Sequence, residues 1–359
     1  MEKKLYSVVA GTGSCIPARR VPNSDFLGWT FFDASGEKLK KSNQETIDKL
    51  AEITGIRERR YASDDQLASD LAFRAAADAL ETSGVDKESL DAIIVAHNFG
   101  DVRPGNVRSD FVPSLASRVK HKLAIANPRA VAYDLPFGCP GWLQGMIQAN
   151  YYLKAGDGKR TLVIGAETLS RISDPHDRDT MIYADGAGAT ILEAVASDRP
   201  VGILAHAART DAIEHAFMLW MGPSYDPAHR GDELYLKMDG HKLYEYALKT
   251  VPLVAKESIE KAGLGIADIK KVLIHQANEK MDEAILKRLC KICGGEYDPA
   301  IMPMTISWLG NSSVATVPTL LDLLLKDKLD GHRVRSGDAI VLTSVGAGMN
   351  INAVVYRLP

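Results

Sequence analysis

The sequence has few cysteines, no long apolar run and no excess of either charge, and each lack excludes a class of protein. Its four cysteines, at 15, 139, 290 and 293, lack the regular spacing of a disulfide framework. Cys290-Lys-Ile-Cys293 is a lone C-x-x-C without a second ligand pair, so no metal and no redox disulfide is expected there. Glycine, proline or charge interrupts every apolar stretch before it reaches transmembrane length. Met1-Glu-Lys-Lys-Leu-Tyr6 lacks the apolar run of a signal peptide. The expectation is therefore a cytoplasmic protein with reduced thiols and no membrane partner. A net charge of −3 gives no general reason to expect nucleic acid. Gly11-Thr-Gly13 follows a strand-like run, but Pro17 and Ala18 stand where a dinucleotide fingerprint has its third glycine, so no nucleotide site is expected.

What remains is a soluble α/β pattern of ordinary composition, long enough at 359 residues for two domains or one duplicated one. Strands are expected at 6–10, 90–97, 160–167 and 185–192, and helices at 45–53, 65–84, 111–123 and 142–155. Residues 18–45 and 99–110 read as irregular. Residues 54–60 read as a turn and a basic strand whose charges need no partner, and 173–180 as a charged loop. The second half repeats the order: a helix at 244–263, a strand ending at His275, an apolar helix after Asn311, and a strand at 339–346 entering Gly346-Ala-Gly348. Apolar strands alternating with helices imply mainly parallel sheets covered on both faces. Two copies of one α/β unit, 1–197 and 198–359, are expected to pack by pseudo-twofold symmetry into a layered sandwich.

The chain is organised around Asp134-Leu-Pro-Phe-Gly-Cys-Pro-Gly-Trp142, where a strand end turns into a helix. Trp142, Leu143, Met146, Ile147 and Tyr151 form that helix's apolar face. Pro140 suits the first helical position, and Gly138 and Gly141 let another backbone or a substrate come close. A thiol at a helix start feels the positive end of the dipole, which favours thiolate. On this stretch alone two readings of Cys139 stand, a nucleophile or a small buried hydrophobe. His275 alone reads as a satisfied core histidine, Asn311 as an ordinary helix N-cap, and Arg178 as a surface charge. The duplication shifts the balance, because Cys139, His275, Asn311 and the 346–348 turn fall on loops or helix starts at the carboxyl ends of strands, which converge in such folds.

These residues resemble the thiolase-fold condensing enzymes, in particular the β-ketoacyl-acyl-carrier-protein synthase III group. The markers are Gly11-Thr-Gly-Ser, Thr54-Gly-Ile-Arg-Glu-Arg, Gly138-Cys-Pro-Gly-Trp, Asp174-Pro-His-Asp-Arg, Asp185-Gly-Ala-Gly-Ala, His275-Gln-Ala-Asn278, Gly310-Asn-Ser-Ser and Gly346-Ala-Gly348. The resemblance runs nearly end to end and implies a duplicated α/β/α/β/α sandwich. It implies that Cys139 takes an acyl group from a thioester, and that the backbone N–H groups of Cys139 and Ala347 form an oxyanion hole. His275 and Asn311 would then bond the thioester carbonyl of a malonyl-type extender as it loses carbon dioxide. No cofactor is implied. Acyl carrier protein and acyl-CoA or acyl-ACP are the implied partners, in a homodimer joined through the first-half sheet. Arg178, Asn278, Lys280, Lys287 and Arg288 are placed on the carrier and substrate side by the resemblance, and His97, Asn98, Val112 and Tyr183 at the acyl pocket.

The chain also departs from the group. Lys49 and Ile53 stand where a tryptophan and an arginine grip the adenine of coenzyme A, which favours acyl-ACP as donor. Residues 99–110 are longer than usual, and Val112 replaces a bulkier residue that crosses the dimer interface to cap the pocket, so a deeper pocket is expected. Pro140 replaces alanine or serine, and Glu245 replaces a lysine of the docking patch. These point to a specialised relative, such as a ketosynthase joining two acyl chains with cyclisation to a dialkylresorcinol or pyrone, or one transferring acyl to a small acceptor. The rival classes are a silent scaffold, against which the intact Cys139, His275 and Asn311 argue, and a thioester hydrolase.

Overall fold

A computed structural model describes residues 3–359. In chain order the strands are β1 (Lys4–Cys15), β2 (Arg19–Pro22), β3 (Glu58–Tyr61), β4 (Ala92–His97), β5 (Asp101–Arg103), β6 (Asn106–Asp110), β7 (Val131–Pro136), β8 (Arg160–Thr168), β9 (Asp185–Ser197), β10 (Gly202–Thr210), β11 (Leu219–Gly222), β12 (Tyr235–Met238), β13 (Ile269–Ile274), β14 (Ala339–Gly346) and β15 (Asn350–Arg357). The helices are α1 (Asn43–Thr54), α2 (Ala68–Ser83), α3 (Leu115–Lys122), α4 (Gly141–Ala155), the short α5 (Ala212–His215), α6 (Gly240–Lys261), α7 (Glu279–Ile292), the short α8 (Ile306–Leu309) and α9 (Thr316–Leu325). None of the described helices is long and apolar enough to cross a membrane.

The repeat seen in the sequence is a repeat of topology. One sheet has the order β1-β9-β8-β4-β7 and the other β10-β15-β14-β13, so β1, β9, β8 and β4 correspond to β10, β15, β14 and β13. The sheets are mixed rather than mainly parallel. β4 runs parallel to β7 and β8, and β13 to β14, but the β9 and β15 pairings are antiparallel. An apolar run shows that both faces of a strand are covered and does not show its direction.

Five layers follow from which faces are apolar. The Ala-rich face of α2 and the start of α3 cover the outer side of the first sheet. The outer side of the second is covered by α6 and α7. Between the sheets lie α4 and α9, whose Trp142, Leu143, Met146 and Ile147, and Val317, Leu320, Leu321 and Leu324, share one core with Ile94, Val163, Leu273 and Leu342. Each fully buried side chain of this kind contributes about 1.5–3 kcal/mol. Because α4 and α9 are the middle layer, the residues at their starts lie inside the molecule. Gly13 is part of β1, and a Cβ there would lie 2.2 Å from the Ala75 carbonyl of α2, so the G-x-G of the N-terminus serves strand–helix contact.

Several expectations need correction. Residues 99–110 are not a loop but contain the β5–β6 hairpin, whose polar alternation hid it. The third helix starts at Leu115, after Ser114 as its cap, because Pro113 cannot continue a helix backward. Tyr151 is 54% exposed and leaves the apolar face of α4. The basic strand's Arg59 is fully buried, donating to the Val21 carbonyl (3.0 Å) and Asn23 Oδ1 (2.6 Å). The charged loop at 173–180 is also tied inward. Asp174 accepts from Lys237 Nζ at 2.5 Å, and that buried ammonium lies 3.3 Å from the centre of the Tyr225 ring.

Candidate active site

Cys139 stands between β7 and α4. Gly138 takes the left-handed φ of +69° that turns the chain, and the Gly141 N–H closes the turn on the Gly138 carbonyl at 2.9 Å. Pro140 is the N-cap, one residue before the position expected for it, with a φ of −74° already suited to the helix. The thiol opens into a mainly apolar cavity of about 210 Å³.

Two other elements bring side chains to this cavity. His275 follows the last residue of β13, and its N–H is held by the Thr343 carbonyl at 2.9 Å. The ring is buried with Nδ1 unpartnered, which leaves Nε2 to the cavity. Asn311 follows α8 and is stitched to the chain before β9 by its N–H to Ile182 and by its carbonyl to Ala184 N–H. It is not the N-cap of α9. Its Oδ1 accepts from Ser313 N–H at 2.8 Å, which fixes the amide and leaves Nδ2 as the donor available to the cavity. The end of β14 supplies the fourth wall. A Cβ on Gly346 would lie 2.6 Å from Cys139 N, and one on Gly138 would lie 2.9 Å from Ala347 N, so the two backbones are in direct contact.

Burial decides the charge state. It pushes the Cys139 thiol up to about 11, against a smaller opposing pull from the Ser313 hydroxyl, and nearby Glu167 adds to the rise. Burial alone holds the His275 imidazole down to about 4. The resting pair is thus a neutral thiol and a neutral imidazole, and the thiolate expected from the helix start is outweighed by desolvation.

Of the expected pocket residues, Tyr183 and Asn98 line the cavity. His97 does not. Its Nε2 faces Asp134 Oδ2 at 3.0 Å and its Nδ1 accepts the Gly100 N–H, while Asp134 also caps the Leu115 and Ala116 N–H groups. This histidine ties β4 to β7 and α3, and Phe99 takes the lining place. Val112 is 85% exposed on the surface ahead of α3, so the depth expected behind it is not formed within one chain. Arg178 and Asn278 line the wider mouth, about 1280 Å³, together with Lys38, Lys40, Lys41 and Lys49. Asn278 also caps α7 through Met281 N–H. Lys280 reaches Glu52 at 3.3 Å, and Lys287 and Arg288 are exposed along α7, away from the mouth lining. Glu245 is exposed beside His241.

Sequence reasoning missed three contributors. The β11–β12 hairpin supplies Leu219, Trp220, Leu236 and Met238 to the cavity wall, from a stretch with no reading of its own. Ser313 donates to Cys139 Sγ at 3.3 Å, and Glu167 lies behind it through Asn98. The only signals were the serine of Gly310-Asn-Ser-Ser and an acidic residue ending an apolar strand.

Comparison with known proteins places the whole chain in a family. Residues 133–212 match the family described as 3-Oxoacyl-[acyl-carrier-protein (ACP)] synthase III, and 259–358 its C-terminal counterpart. The β-ketoacyl-[acyl carrier protein] synthase III of Thermus thermophilus is 31% identical, with 98% of this chain and 99% of that one covered at a TM-score of 0.80. The Aquifex aeolicus 3-oxoacyl-[acyl-carrier-protein] synthase III is 28% identical, covering 98% and 99% at 0.79. A priming β-ketosynthase of the R1128 polyketide biosynthetic pathway is 26% identical, covering 100% and 97% at 0.80.

Proposed function

The chain belongs to the 3-oxoacyl-[acyl-carrier-protein] synthase III family, condensing enzymes of the acyltransferase class, and from that premise we propose that Cys139 is its nucleophile, with His275 and Asn311 completing the site. The observation that carries this reading is their convergence, from three separate elements, on one apolar cavity walled by the Gly346–Ala347 turn.

In the first half-reaction Cys139 Sγ attacks the carbonyl of an acyl thioester. The new S–C bond forms, the carrier's C–S bond breaks, and the thiol proton ends on the sulfur of the departing carrier. Ionising Cys139 and His275 separately, from about 11 and about 4, would cost about 10 kcal/mol before their mutual attraction. The sulfur therefore gives up its proton as it attacks rather than beforehand. Backbone N–H groups of Cys139 and Ala347 receive the charge that develops on the carbonyl oxygen.

In the second half-reaction a malonyl-type thioester loses carbon dioxide, and the electron pair of that bond moves onto the thioester oxygen. His275 Nε2 and Asn311 Nδ2 donate to this enolate, both from neutral groups suited to a site that excludes charge. The enolate carbon attacks the acyl carbon, the Cys139 S–C bond breaks and the sulfur takes up a proton. A 3-oxoacyl thioester, carbon dioxide and free thiol result.

Lys49 and Ile53 at the mouth give no aromatic platform on α1, which favours acyl carrier protein over coenzyme A as the donor. Arg178 at the mouth and the Lys287–Arg288 stretch of α7 fit an acidic carrier. Likeness to a polyketide priming ketosynthase supports the second reading, in which the enzyme starts or joins chains of a specialised lipid. The same proposal has two chains joined in the cytoplasm along β7, an edge strand that exposes Val131, with Val112 of one protomer closing the cavity of its partner. The test is product analysis. Acyl-ACP and malonyl-ACP should yield 3-oxoacyl-ACP and carbon dioxide in equal amounts with wild type and no 3-oxoacyl-ACP with Cys139→Ala. Acid release without condensation would point instead to a hydrolase.

A further inference from the structure

Behind the cysteine lies a chain of polar groups that the two half-reactions above do not use. Glu167 is the penultimate residue of β8, and its side chain is fully enclosed. One oxygen, Oε2, accepts both the Asn98 backbone N–H (2.8 Å) and the Asn98 side-chain amide (2.5 Å). The other oxygen, Oε1, is buried with no partner among the described residues. The same Asn98 Nδ2 lies 3.0 Å from Ser313 Oγ, and Ser313 Oγ lies 3.3 Å from Cys139 Sγ.

Burial pushes the Glu167 carboxyl up to about 7. In its ionised form it only accepts, so it turns the Asn98 amide with its N–H2 group inward. That amide N–H then occupies a lone pair of the Ser313 hydroxyl. The hydroxyl has one hydrogen, and the sulfur is the remaining neighbour to receive it. Ser313 is thereby a donor to Cys139, while its own backbone N–H holds Asn311 Oδ1. One residue fixes both the nucleophile and the amide across the cavity.

The backbone at this position is independently unusual. Ser313 has a φ of +52°, in the left-handed region that non-glycine residues rarely adopt. Such strain persists where the surroundings over-determine it, and it clusters at functional sites. Here the surroundings are visible. Gly165, two residues before Glu167 on the same face of β8, lets the Val314 carbonyl lie where a Cβ would be, at 2.4 Å. The missing side chain of Gly165 thus seats the 313–315 turn directly on the strand that carries Glu167.

We infer that Ser313 is a further catalytic residue, donating its hydroxyl hydrogen to the Cys139 sulfur as negative charge develops there, and that Asn98 and Glu167 are positioning residues that aim this donation. The inference rests on the reading of Cys139 as nucleophile. A hydrogen bond to an ionised group is worth more than one to a neutral group, so it strengthens as the sulfur ionises. It opposes the desolvation that raises the thiol, in the direction the Ser313 contact already acts. The titratable groups around the sulfur are Glu167 from β8, Tyr183 from the segment before β9 and His275 from the end of β13; Glu167 in turn faces His97 and Asp185.

The test follows two reactions of Cys139 across pH: alkylation by iodoacetamide, read by peptide mass, and acylation by an acyl thioester, read by intact mass. Ser313→Ala removes the hydroxyl and keeps the strain, whereas Ser313→Gly removes the hydroxyl and relieves the strain. Both should slow alkylation and acylation by about tenfold or more at pH 7–8 and move the alkylation midpoint up by about one pH unit. Asn98→Ala and Glu167→Gln should lose part of that, about threefold, with the midpoint moving the same way. A Ser313→Gly variant that reacts like wild type at every pH overturns the inference, because it shows that the turn and not the hydroxyl matters. Rates lowered with the pH profile unmoved also overturn it, since that is what a merely structural network would give. Wild-type enzyme that is alkylated but never acylated would instead remove the condensing reading, leaving the alkylation series to judge the relay.

Discussion

Replacing Gly346 by alanine tests the junction between the two halves of the site. Gly346 has a φ of −168°, extended backbone that any residue adopts, so alanine brings no torsional strain there. What it brings is a methyl group 2.6 Å from Cys139 N, 2.8 Å from Pro140 Cδ and 2.9 Å from Cys139 Cβ. Carbon–carbon contacts are comfortable at about 3.5–4.0 Å, so the 346–347 turn must retreat from Cys139 by about 1 Å. Oxyanion donors act at about 2.7–3.1 Å, and losing one costs about 10²–10³ in rate. The expected result is a fall of about 100-fold or more in Cys139 acylation. Overpacking of this size destabilises by about 1–3 kcal/mol, so the variant should still fold. The assay quenches the reaction with an acyl thioester at intervals and weighs the protein. Gly186→Ala is the control, because its Cβ would meet Ser312 Cβ at an ordinary 3.6 Å and its rate should stay within about threefold of wild type. If Gly346→Ala acylates at the wild-type rate, the Ala347 N–H is not an oxyanion donor and that part of the site is wrong.

Other perturbations read other parts of the structure. His275 is held at about 4 against an ordinary value of 6.5, so the stability gained by keeping it neutral is complete above pH 6.5 and is lost as pH falls through 4. That loss amounts to about 3 kcal/mol, and urea unfolding at pH 7 and pH 4 should show it in wild type and not in His275→Gln. Lys237→Met leaves Asp174 and Asp177 without their buried ammonium and should cost about 3–5 kcal/mol in urea unfolding, whereas a change below 1 kcal/mol would show the pair to be dispensable. Val131→Asp puts a charge on the exposed edge strand β7 and should turn the proposed dimer into a monomer in light scattering; an unchanged mass would contradict an interface along β7.

Some of this architecture is written plainly in the residues and some is not. Ala92–Ala96, 162–166 and 339–342 are apolar throughout, and the burial of those strands on both faces follows from that. Their neighbours' directions do not, since the antiparallel return of β9 and β15 depends on long-range pairing. The β5–β6 and β11–β12 hairpins were illegible because each strand is only three to five residues long, too short to show a period. Cys139, His275 and Asn311 stood out because repeated element ends brought them into register. Ser313 did not, because a serine two residues after an asparagine reads as part of a polar turn, and the strand on which that turn is seated, at Gly165, lies some 150 residues away. The charge of Cys139 was misread for a related reason: a helix start is visible in sequence, whereas the enclosure that outweighs its dipole is made by β8, β13 and β14 together.

The central claim is that Cys139 carries the acyl group. Intact-mass measurement after incubation with a panel of acyl-CoAs and acyl-ACPs of different lengths tests it most directly. The account requires a single acyl adduct on wild type, mapped to Cys139 and absent in Cys139→Ala, that is discharged when malonyl-ACP is added. An adduct that persists in Cys139→Ala, or no adduct with any thioester, would contradict it.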